Sequence, residues 1–83
     1  MSETWVCIGV KGSGFPPKYW LGRDEDREVD LEHELRDAEN YMVCKWLLYR
    51  SSLGRYAVLF VEQQRIGFYP DKDTADIAVE LSQ

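Results

Sequence analysis

Between positions 41 and 69 three dense apolar runs are separated by two short turn signals, a spacing that favours a strand meander. The middle run, residues 55–61 (Arg-Tyr-Ala-Val-Leu-Phe-Val), is rich in the β-branched and aromatic side chains that fit a pleated, half-buried surface. The run before it, residues 41–50, is ambiguous, because Trp46 and Tyr49 continue a helical spacing while the density of aromatics suits a buried strand. Ser51-Ser52-Leu53-Gly54 favours a strand over a helix, since that tetrapeptide reads as a hairpin turn into the middle run, and the helical alternative stays open. A second tight turn, Glu62-Gln63-Gln64, leads to Arg65-Ile66-Gly67-Phe68-Tyr69, which Pro70 ends.

Upstream, residues 5–10 form another β-branched apolar run, stopped by Lys11-Gly12-Ser13-Gly14. Phe15-Pro16-Pro17 excludes helix and central strand, so residues 11–18 are expected to be a loop, and residues 19–21 a brief extended piece. Leu31, Leu35, Ala38 and Met42 recur at the one-faced spacing of an amphipathic helix, with Asp26 or Asp30 as its N-cap. At the C-terminal end Asp71 or Asp73 caps a short helix in which Ile77, Ala78 and Leu81 share a face. The expectation is an α+β fold: a small antiparallel sheet of about four strands, an acidic amphipathic helix over residues 28–39 after strand 1, and a short C-terminal helix. With 83 residues, 45% of them apolar, one domain spanning residues 1–83 can order a core.

Cys7 and Cys44 lie in apolar runs without metal-ligand spacing and read as reduced core thiols. With no signal-peptide pattern and no apolar run near the roughly 20 residues that cross a bilayer, a cytoplasmic protein off the membrane is expected.

Charge is distributed unevenly. Nine of the 15 acidic residues fall between positions 24 and 40: Asp24, Glu25, Asp26, Glu28, Asp30, Glu32, Glu34, Asp37 and Glu39. Against Arg27 and Arg36 they give that stretch a net charge of −7, and the rest of the chain carries +2. If helical, the stretch would span about 25 Å and place one net charge per roughly 3.6 Å, close to the roughly 3.4 Å of a single phosphate strand. Like-charged pairs such as Glu28 with Glu32 oppose that helix, so local stability does not account for the clustering. The acidic stretch therefore reads as a partner-binding face that steers toward a basic surface. Tyr19 and Trp20 are the candidate hydrophobic anchor beside it.

No pattern of catalysis accompanies it. The Gly9, Gly12 and Gly14 cluster has neither phosphate-loop spacing, and prolines stand where the anion-binding helix should begin. Asp71-Lys72-Asp73 lacks the glycine and terminal glutamate of a calcium loop. His33 is the sole histidine and has no second ligand near it. A hydrolytic carboxylate pair would need one member in an apolar pocket, which so dense a cluster does not offer. The expectation is a non-enzyme without cofactor or metal, monomeric or homodimeric. Its partner would be a protein with a basic, nucleic-acid-binding surface, whereas direct nucleic-acid binding is disfavoured by a pI near 4.7. Small acidic phage proteins that block host defence nucleases, anti-CRISPR inhibitors among them, are of this physical type. The bland alternative is an accessory subunit kept soluble by its acidic face.

Tyr56-Ala57-Val58-Leu59-Phe60, then Arg65-Ile66-Gly67-Phe68-Tyr69-Pro70, then Asp73 with Ile77, Ala78 and Leu81, resembles the closing half of HIRAN domains, small β-rich modules attached to DNA helicases and nucleases. The resemblance covers residues 55–81, and no family pattern is visible in residues 1–54. It implies a nucleic-acid-binding accessory module, with Arg50, Arg55, Tyr56, Arg65 and Tyr69 as the groove residues.

Overall fold

In the computed structural model, residues 2–12, 14, 16, 18–23, 27–40 and 44–83 are described, with the side chain of Glu39 excepted. The chain runs β1 (Trp5–Lys11), β2 (Leu21–Gly22), β3 (Glu28–Val29), α1 (Leu31–Arg36), a 3-10 turn (Ala38–Asn40), β4 (Trp46–Ser51), β5 (Tyr56–Phe60), β6 (Arg65–Tyr69) and α2 (Lys72–Leu81). All strands pair antiparallel in one sheet of order β2-β1-β4-β5-β6, with β3 also on the outer side of β1.

The central strands read as unbroken apolar runs because both of their faces are covered. On one face Trp5, Cys7, Leu47, Tyr49, Ala57 and Leu59 pack with Leu31 of α1 and Ala38 of the 3-10 turn. On the other, Trp46, Leu48, Val58 and Phe60 pack with Ala75 and Val79 of α2. The ambiguous run thus yields a strand, β4, because its alternate residues supply two cores at once.

The β4–β5 turn is organised by Ser51. Its side-chain oxygen accepts from the N–H groups of Leu53 (3.2 Å) and Arg55 (3.0 Å), and its backbone N–H donates to Arg55 C=O at 2.9 Å. Gly54 supplies the positive φ of 82° that this tight connection needs.

Three expectations are corrected. Among the described residues the sheet has six strands rather than about four, since β2 and β3 are two-residue segments that exist only by pairing with β1. The acidic helix does not run from 28 to 39: Glu28 and Val29 lie opposite Val6 and Trp5, so the segment starts as an edge strand. Asp30 then caps a helix of six residues, about 9 Å long. The capping alternative Asp26 and the stripe residue Met42 lie outside the described residues. Finally, Lys11 belongs to β1 and not to the loop. The register with β4 shifts between Cys7 and Gly9, a bulge at Ile8. Before it the odd-numbered residues face α1. After it Val10 does, and Lys11 turns to the α2 side opposite Trp46.

Candidate functional site

The carboxylates of the acidic stretch have separate surroundings. Glu28 projects exposed from β3, and Glu32 is exposed on α1. Asp30 accepts from the backbone N–H of Glu32 at 3.0 Å and fastens the helix start. Glu34 accepts from the hydroxyl of buried Tyr49 at 3.1 Å, tying α1 to the middle of the sheet. Asp37 lies 3.0 Å from the imidazole of His33, both partly exposed. Asp24, Glu25, Asp26 and the Glu39 side chain lie outside the description. Among the described residues, then, three of these carboxylates serve local structure, and neither Glu28 nor Glu32 has an ion-pair partner. A single evenly charged helical rail is not formed, because strand, cap and short helix replace the continuous turns that the 3.6 Å spacing required.

The two anchor candidates separate. Tyr19 is 51% exposed, whereas Trp20 is folded over the α2 face of the sheet, its Cβ 3.1 Å from where a side chain on Gly9 would begin. The indole N–H of Trp20 donates to the Asp76 carboxylate on α2. Lys11 completes the cluster: its ammonium is 4.2 Å from the centre of the Trp20 ring and 3.6 Å from the same Asp76 oxygen. The Lys11 side chain is wholly enclosed, and its Nζ has no hydrogen-bond acceptor. Burial pushes the ammonium below the usual lysine pKa, with Asp76 and then Glu80 pulling the other way. Trp20 is therefore a half-buried strut between the sheet and α2. Nothing local in the sequence marks this cluster, which depends on the bulge at Ile8 and on a contact spanning 65 positions.

The basic and aromatic candidates lie on both faces. Glu28, Val6, Arg50, Tyr56 and Tyr69 are aligned in one row across five strands. A groove of about 300 Å³ at its end is lined by Thr4, Val6, Glu28, Arg50, Ser51 and Ser52. Arg65 shares that face, with its guanidinium 3.9 Å from the centre of the Phe60 ring.

Arg55 is on the opposite face, above the rings of Trp5 (5.7 Å) and Phe68 (5.5 Å), and its guanidinium holds both Glu3 oxygens, one at 2.9 Å. That two-pronged contact, helped by Ser51, lowers the Glu3 pKa to about 2. An NMR pH titration is expected to find the Glu3 carboxylate still charged well below its ordinary 4.5, and Arg55→Ala to return it toward that value. A Glu3 that titrates near 4.5 in both chains would show that the pair does not persist in solution.

No family model, curated protein or solved structure matches this chain. The chemistry of the residues is therefore the guide to what the surface does. A second hollow, about 370 Å³, is bounded by Gly12, Gly14, Lys45, Trp46, Glu62, Ser82 and Gln83. Its described lining has no cysteine or histidine. Among the described residues no group of three His, Cys, Asp or Glu side chains is placed to hold a metal ion. Cys7 and Cys44 are free thiols, and burial raises the pKa of both, which makes them poor nucleophiles. No described helix is long and apolar enough to cross a membrane.

Proposed function

We propose that this chain is a non-catalytic binding protein, active in the cytoplasm, whose exposed carboxylates at the β3–α1 junction dock on a basic surface of a partner protein. The observation that carries this reading is the contrast within the acidic stretch. Glu28 and Glu32 are exposed with no ion-pair partner among the described residues, and internal bonds from Asp30 and Glu34 hold the backbone that presents them. Charges kept unpaired on a fixed frame raise association rates with an oppositely charged surface and select against wrong partners. A nucleic-acid-binding face of another protein has the complementary chemistry, and an inhibitor of such a protein would compete there with its nucleic acid.

Glu28→Gln with Glu32→Gln tests this without disturbing the cap or the Tyr49 contact. Affinity capture from host lysate at low salt is expected to recover a basic protein on the parent chain. The doubly neutralised chain should hold that protein about tenfold to hundredfold more weakly, since close interfacial charge pairs couple by about 1.5 kcal/mol or more each. Equal retention of every captured protein by both chains sinks the proposal.

The alignment of Arg50 with Tyr56 and Tyr69 supports a second reading, a HIRAN-like module that stacks nucleic-acid bases. A gel shift on single-stranded and end-bearing DNA at low salt, lost in Arg50→Ala, is its expected signature; no shift removes it.

A further inference from the structure

The two edges of the sheet differ. The outer side of β1 is divided between β2 and β3, two residues each, whereas no described strand covers β6, which presents five residues without a bulge or a lysine. The backbone groups open at that edge follow from hydrogen-bond alternation. Ser51 N–H to Arg55 C=O and Val61 N–H to Lys45 C=O, both 2.9 Å, bracket the β4–β5 ladder. Odd-numbered residues of β5 therefore bond toward β4, and Tyr56, Val58 and Phe60 bond toward β6. Their register partners Tyr69, Gly67 and Arg65 are thereby satisfied, and the N–H and C=O of Ile66 and Phe68 point outward. Pro70, at the next outward position, has no N–H and ends the open edge there.

We propose that a second copy of this chain pairs with β6 antiparallel about a two-fold axis at Gly67, joining two sheets into one. In that register Ile66 meets Phe68 of the other copy, and each pair exchanges two hydrogen bonds, four in all. Phe68, 53% exposed in the single chain, gains an apolar neighbour, and Arg65 faces the Tyr69 ring of the other copy.

A second observation converges on the same occupant. Asp76 reaches Lys11 on β1, so the opposite flank of α2 overhangs the β6 side, and by helical rotation that flank holds Thr74, Ala78 and Leu81, with Ile77 beside them. It is uncharged, and Ile77 and Leu81 are 54% and 81% exposed. α2 lies over β5 and β6. With strands about 4.8 Å apart its axis would stand about 4.8 Å from the two-fold axis, which places the two α2 helices about 9.6 Å apart, within the usual packing distance of about 8–10 Å. The acidic β3–α1 junction begins at the far edge, about 19 Å from β6, where screening at physiological salt removes most of the repulsion between copies.

Sedimentation equilibrium and amide exchange on the intact chain test the assembly. The expected results are a species of twice 9.7 kDa at high micromolar concentration and slow exchange at the Ile66 and Phe68 amides. Phe68→Pro deletes an outward N–H, together with the ring that Trp5 and Arg55 contact, and Ile77→Lys with Leu81→Lys charges the helix flank. Each is expected to give a folded species of 9.7 kDa, and the helix-flank pair decides if the proline chain does not fold. A parent chain of 9.7 kDa under those conditions, or a dimer unchanged by the folded variants, overturns the proposal.

Discussion

Asp76→Ala is expected to lower folding stability by about 3 kcal/mol at neutral pH, and Lys11→Met in the same chain to restore most of it. The asymmetry arises because the alanine leaves an ammonium with no exposed surface and no acceptor, while Trp20 loses the carboxylate that receives its indole N–H. Methionine at position 11 has comparable length, keeps contact with the Trp20 ring and carries no charge to desolvate. The same pair predicts a pH response. The folded pKa of Lys11 lies below its ordinary 10.5, so between those two values the unfolded chain binds the extra proton. Stability attributable to this group is therefore reduced in full below the folded pKa and recovers as pH rises through it toward 10.5. Urea unfolding across alkaline pH should show this rise in the parent chain and its absence in Lys11→Met. A slope identical in both, with a loss under 1 kcal/mol for Asp76→Ala, would falsify the account.

Tyr49→Ala is expected to cost about 4 kcal/mol, against about 1 kcal/mol for Tyr49→Phe. Tyr49 has no exposed surface, stands between Cys7 and Ala57 in the register, and is the hydrogen-bond donor that reaches Glu34. The first change opens a cavity under α1 and removes that tether, while the second keeps the ring. For a domain whose total stability is of order 0.05–0.15 kcal/mol per residue, the larger loss is a major share of the whole. Thermal melts rank the pair, and comparable melting temperatures for the two variants would show that the ring contributes little. Looser α1 attachment should also weaken partner capture in Tyr49→Ala beyond its effect on the folded fraction.

The contrast between these two positions shows where the sequence is readable. β4, β5 and β6 were legible because two-sided burial writes itself as continuous apolar runs, and the turn chemistry between them, Gly54 above all, is local. The C-terminal helix was legible too, since Asp71 caps it, accepting from the Thr74 N–H at 2.7 Å. β2 and β3 are too short for any periodicity and take their conformation from β1. Val29 shows the same competition: helical spacing would extend α1 back past it, but its place opposite Trp5 wins. Of the candidate site, the exposure of Glu28 and Glu32 follows from charge alone. The role of Asp30 as a cap was readable among alternatives, whereas the attachment of Glu34 to Tyr49 and of Trp20 to Asp76 required the folded chain.

The bulge at Ile8 makes β1 unequally tolerant of change. Were the strand to straighten with all seven residues kept, Lys11 would return to the α1 side, beneath the acidic segment, and Val10 would move under Trp20, whereas removal of Ile8 leaves Gly9, Val10 and Lys11 on their present faces, opposite Leu48, Leu47 and Trp46. The face that each residue takes, more than the length of the strand, is thus the quantity to expect preserved: related chains should accept six or seven residues from Trp5 to Lys11 yet keep Val10 on the α1 side and Lys11 on the α2 side. A single-residue deletion library across the strand should accordingly find position 8 the most tolerant of positions 5–11.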